Sequence, residues 1–162
     1  MDISKHREQD QAIHRKLAGD LFNATWELMD KPDRTPAEEA LMIHAAHASR
    51  YHWEVVGKPE NFARGDWQIS RVYSVAGVAE RALHYALSSL QICCETDLDG
   101  FDMGFAHEAV ARAYALQGDE GHRDEHLALG TQAAQRVPNP LDKAWLLKNL
   151  ESVKSLSIPP WE

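Results

Sequence analysis

The chain has 162 residues, 44% of them hydrophobic and 26% charged, a size and balance that fit one folded domain and argue against disorder. Twenty-five acids stand against 17 bases, for a net charge of −8, which argues against general binding to nucleic acid or an anionic membrane. No apolar run nears the ~20 residues that span a bilayer, no apolar signal core opens the chain, and the adjacent Cys93 and Cys94 cannot build a disulfide framework. A soluble, reduced, cytoplasmic protein is expected.

Apolar residues recur with the helical period throughout, and alternating strand-like runs are absent. The first helix is expected from about Ile3 to Met29, on a stripe of Ile13, Leu17, Leu21, Ala24 and Leu28 widened by Phe22, Trp26 and Met29. Lys31-Pro32-Asp33 breaks it, because a proline ring cannot continue the helical ladder. Thr35-Pro36-Ala37-Glu38 restarts the pattern with a cap, a first-turn proline and the glutamate of a capping box. That second helix runs to about Val56, ahead of Gly57 and Pro59. A third is expected from near Asp66, taken as its cap, through Trp67, Ile69, Val72, Tyr73 and Ala76 to Gly77.

The fourth helix carries Ala79, Ala82, Leu83, Ala86, Leu87, Leu90 and Cys94, with Cys94 expected in the core. A turn at Thr96–Gly100 follows, and Asp102 is expected to cap the fifth helix, which closes at Gly118-Asp119. Asp97, Asp99 and Asp102 resemble calcium-loop ligands, but Gly100 stands at the fourth place of the loop and not the sixth. The sixth helix reads from about Glu120 to Val137. Asn139-Pro140 starts the seventh, on Leu146, Leu147, Leu150 and Val153. Residues 154–162 form a proline-rich tail. The expectation is an all-α domain of about seven antiparallel helices on short connections.

Two segments repeat a pattern of helix, small-residue turn and helix. Arg71-Val72-Tyr73 stands before Gly77 as Arg112-Ala113-Tyr114 stands before Gly118, and small residues follow each turn. These hairpins resemble tetratricopeptide repeats over about residues 66–153, with a longer hairpin over 1–65. The resemblance implies a stacked, right-handed array or bundle that binds a partner without chemistry.

Candidate site residues cluster in two places. His44, His47 and Tyr51 fall on one strip of the second helix. Between Gly57 and Tyr73, Arg64, Trp67, Gln68 and Arg71 gather the residue types that carry disproportionate binding energy at interfaces. These seven are the expected partner-binding set. The acidic stretch from Glu95 to His126, nine acids against two bases, forms an expected second face.

No P-loop, dinucleotide fingerprint, nucleophile elbow or Cys-x-x-Cys motif is present, and no cofactor is implied. The expected function is therefore non-catalytic binding of a protein or peptide, or self-association as a dimer. One alternative concerns metal. His122 and His126 stand four apart, a two-ligand helical spacing. With His47, His44 or His52 they resemble the three-histidine set of DinB-like metal-binding bundles, which implies a metal-dependent helical enzyme.

Overall fold

The computed structural model describes residues 3–156, with side chains from residue 7 onward. It is all-α, with seven helices among the described residues: α1 (Ile3–Asp30), α2 (Pro36–Val56), α3 (Pro59–Val75), α4 (Ala79–Glu95), α5 (Phe101–Gln117), α6 (Glu120–Ala134) and α7 (Pro140–Lys154). The tail with Pro159, Pro160 and Trp161 lies outside the described residues. No described helix is long and apolar enough to cross a membrane.

Local chemistry places the breaks. Arg34 folds back to donate to the carbonyls of Met29 (2.9 Å) and Lys31 (2.8 Å), so it satisfies acceptors freed where α1 ends. Thr35 and Glu38 then form the capping box that opens α2. Gly118 closes α5 at φ +75°, and Gly77 turns the chain between α3 and α4 at φ +76°, left-handed backbone that favours glycine.

Helices α1/α2, α3/α4 and α5/α6 form three antiparallel hairpins, with α7 laid against α5 and α6. The odd-numbered helices also pack side by side, α1 on α3, α3 on α5 and α5 on α7, so they form a continuous layer. The even-numbered helices are set further apart and meet only through side chains, as where His47 of α2 touches Tyr85 of α4.

Small residues set the crossings. Ala45, Ala46, Ala63, Ala82, Ala86, Ala106, Ala109 and Ala113 are all buried. Serine hydroxyls tie facing backbones: Ser49 donates to the Ala18 carbonyl (2.7 Å), Ser70 to Ala82 (2.7 Å) and Ser89 to Ala63 (2.8 Å). Gly104 and Gly130 admit Leu146 and Leu150, whose methyls would lie 2.3 and 2.7 Å from an added Cβ.

Five expectations are corrected. Helix α3 starts at Pro59 and not near Asp66, because Pro59 sits at its first position and Asn61 Oδ1 accepts from the Lys58 N–H (3.0 Å). The expected division at residue 65 therefore falls inside α3. Asp66 is buried mid-helix and accepts from Arg50 Nε (2.8 Å) and Ser88 Oγ (2.6 Å). Gly100, not Asp102, holds the cap position of α5. Cys93 is the buried cysteine and Cys94 is exposed, and burial pushes the Cys93 thiol up to about 12. On α1 the inward face is set by Ala18 and Thr25, whereas Ile13 and Leu17 are exposed; the Ser49–Ala18 tie draws the backbones together where side chains are small.

Candidate functional site

The odd-helix layer, with Ser89 of α4, lines a half-open aromatic cavity of about 220 Å³. Phe22 and Trp26 come from α1, Trp67 from α3, Phe101 and Phe105 from α5, and Trp145 from α7, with Ala63, Arg64, Ser89 and Asp102 completing the wall. Successive rings touch in a chain. Centroids lie 6.4 Å apart for Phe22–Trp26, 5.5 Å for Trp26–Trp67, 5.4 Å for Trp67–Phe105 and 4.8 Å for Phe105–Phe101, and three of these four contacts are edge-to-face, as ring quadrupoles prefer.

The polar atoms at the cavity are few. Arg64 Nε donates to Asp102 Oδ1 (2.7 Å) and its Nη2 to Oδ2 (3.3 Å), and its guanidinium carbon lies 5.7 Å from the Phe101 centroid. The hydrogen bond to Asp102 holds the Arg64 pKa above its ordinary value. Trp67 turns its N–H away from the cavity, to Glu108 Oε2 (3.1 Å).

Glu108 anchors a buried cluster behind Trp67. Its Oε1 accepts from Arg71 Nη1 (2.9 Å) and Arg112 Nε (2.7 Å). The remaining guanidinium donors reach α7: Arg71 to Asn149 Oδ1 (3.1 Å), and Arg112 to Ser152 Oγ (2.7 Å) and the Asn149 carbonyl (3.3 Å). The two arginines of the repeated Arg-x-Tyr pattern thus bind one carboxylate, and the cluster joins α3, α5 and α7.

The seven expected partner-binding residues do not converge. Arg64 and Trp67 line the cavity. Arg71 belongs to the Glu108 cluster. Gln68 is buried and donates to the Phe22 carbonyl (2.9 Å), holding α3 to α1. His47 Nε2 is bonded to the Tyr73 hydroxyl (3.0 Å), and its ring lies 5.3 Å from that of Tyr85. Burial pulls its pKa below the ordinary value. His44 and Tyr51 are exposed on α2.

The acidic stretch is not one face either. Asp99 pairs with Arg136, Asp102 with Arg64, Glu108 is buried, and Asp119 caps α6. Nor do the histidines of the metal alternative meet. His126 Nδ1 faces His107 Nδ1 (3.0 Å), His122 pairs with Asp119, and His52 faces His14 (2.8 Å). Among the described residues no three His, Cys, Asp or Glu side chains gather to hold one ion. His14, His52, His107, His122 and His126 are each engaged by a neighbouring ring or carboxylate.

Phe22, Trp26, Phe101, Phe105, Trp145 and Asp102 were not among the expected site residues. Phe22/Trp26 and Phe101/Phe105 are aromatic pairs spaced four apart, a spacing that puts both rings on one helix face and is the signal that could have found them. Comparison with family models, curated proteins and solved structures finds no match to the chain.

Proposed function

We propose that this chain is a non-catalytic, tetratricopeptide-like helical-hairpin protein that binds a peptide segment, anchored in the aromatic cavity. The observation that carries the reading is that all four odd-numbered helices contribute an aromatic side chain to one cavity. Its volume of about 220 Å³ is below the ~300 Å³ at which pockets for whole small ligands begin, and suits one inserted side chain. Tryptophan and arginine at its wall are residue types that dominate binding energy.

The test is selection of binding peptides on the full chain, followed by affinity measurement on the Trp145→Ala variant. Trp145 is half-exposed, so its removal spares the core. Selected peptides should share one anchor side chain and lose at least about tenfold in affinity on the variant. Peptides that bind the variant undiminished overturn the reading.

A second observation favours self-association. Leu41, His44, Tyr51 and Val55 are exposed along one stripe of α2, the even-numbered helix of the first hairpin, with Leu41 56% and Tyr51 63% exposed. An uncovered apolar stripe of this kind suits the same stripe of a second copy. Light scattering should report a dimer at micromolar concentration that Tyr51→Glu dissociates; a concentration-independent monomer removes this reading.

A further inference from the structure

We propose that the aromatic cavity takes a methylated ammonium group, presented as a di- or trimethylated lysine side chain of the bound polypeptide. The inference rests on the peptide-binding reading above and names the anchor.

The lining has a bias that apolar anchoring alone does not need. Six of its residues are aromatic, and none is Leu, Ile, Val or Met. The core elsewhere mixes alanines with those aliphatics, among them Met42, Ile69, Val72, Val110 and Leu150. An aromatic face carries negative charge density and attracts cations, most strongly those that shed water easily. Two of the lining rings already have a cation over them: the Arg64 guanidinium at Phe101 (5.7 Å) and the Lys148 ammonium at Trp145 (5.8 Å).

A carboxylate stands with the rings. Asp102 lines the cavity and is held by Arg64, while Glu60 and Asp142 also act electrostatically on that guanidinium. The chain's own arginine therefore occupies the mouth of a cation site. Its side chain is 51% exposed against 12% for Asp102, so the guanidinium is open to water on its outer side, where ion pairs hold less strongly, and an incoming cation can take its place on the carboxylate. Arg71 and Arg112 do not oppose this from within the cavity, because their donors are spent on Glu108, Asn149 and Ser152 behind Trp67.

Methylation decides between cations. An unmodified lysine brings three N–H donors that must find acceptors. In the cavity wall the side-chain acceptors are the Asp102 carboxylate and the Ser89 hydroxyl oxygen, the former already bonded twice by Arg64 and the latter held against the Ala63 carbonyl by its own O–H, too few for three N–H donors. Replacing those hydrogens with methyls removes the unmet donors and presents apolar surface to the rings while the charge remains.

The test uses the full chain and three versions of one short glycine-flanked peptide, bearing trimethyllysine, unmodified lysine, or the neutral isostere with carbon in place of the nitrogen. Binding is read by calorimetry and by the fluorescence of Trp26, Trp67 and Trp145. The trimethyllysine peptide should bind at least about threefold more tightly than either other form. Arg64→Gln, which removes the competing cation and frees Asp102, should tighten it about twofold to fivefold, and Asp102→Asn should weaken it, with circular dichroism unchanged in both. Equal binding of the neutral isostere overturns the ammonium inference and leaves an anchor pocket for an apolar side chain. Weaker binding to Arg64→Gln, or no binding of the trimethyllysine peptide, also overturns it; the peptide-binding reading then stands or falls on its own selection experiment.

Discussion

Helix α5 presents two carboxylates to two arginines of α3, and the pairs differ in how far the arginine is exposed and in how many partners share the carboxylate. Asp102 meets Arg64 at the cavity mouth, where the exposures are 12% and 51%. Glu108 meets Arg71 where the exposures are 0% and 19%, with Arg112 and the Trp67 N–H completing its shell. The direction of each arginine's pKa follows: the hydrogen bond to Asp102 raises Arg64, whereas burial lowers Arg71 against the pull of Glu108. Burial, not residue type, separates an exchangeable contact from a structural one.

The comparison breaks most easily at Glu108. Glu108→Ala leaves two largely buried guanidiniums without their shared acceptor, and should cost about 3–5 kcal/mol in urea denaturation. A loss below about 1 kcal/mol would put both pairs in the same class. Trp67→Phe keeps a ring in the cavity wall and deletes only the indole and its N–H, so about 2–3 kcal/mol is expected from the lost bond to a charged acceptor and the smaller ring. That variant should retain peptide binding better than Trp145→Ala although it is the less stable of the two.

Acid provides a control on the same helix. His107 of α5 faces His126 of α6, and burial, with His126 and Arg136 adding, pushes its pKa down to about 4; burial lowers His126 as well. An unfolded imidazole titrates near 6.5. Between these values the unfolded chain holds a proton that the folded chain refuses, so the contribution is present above pH ~6.5 and is lost as pH falls toward 4. About 2 kcal/mol should disappear between pH 7 and pH 5, and His107→Gln should flatten that slope. An unchanged slope in His107→Gln would assign the acid sensitivity elsewhere.

How much of this was legible depends on the range of the interactions involved. The Thr35–Glu38 box, the Asn139 cap and the Gly77 and Gly118 turns are written within four residues of sequence, and the all-α hairpin order follows from them. The start of α3 was within reach too, since Pro59 and Asn61 are a first-turn proline and an N3 side-chain acceptor, but Asp66 competed as a cap because a buried aspartate and a capping one look alike without the partners Arg50 and Ser88. The site was half legible. Trp67 and Arg64 declare themselves by residue type, but the walls they share come from α1, α5 and α7, and periodicity does not say which aromatic stripe meets which. The Arg71 and Arg112 repeat was visible, whereas its single acceptor, Glu108, emerges only when α3 and α5 pack.

The smallest expected effect bears most directly on the cavity. Arg64→Ala and Asp102→Ala should each change stability by less than about 1 kcal/mol, and the double variant should reveal a coupling of about 0.2–1 kcal/mol. Added salt should shrink that coupling, since the Arg64 side chain is open to solvent. The ratio matters more than either value. If the coupling stays below the cost of Glu108→Ala by several-fold, α5 is held to α3 by its buried carboxylate and the outer pair is free to open without loosening the helices that carry the rings. A coupling above about 2 kcal/mol, insensitive to salt, would mean that the mouth is desolvated and Arg64 acts as a latch. A ligand would then have to break a structural contact before it reached Trp67, and Arg64→Gln would loosen the wall it was meant to open.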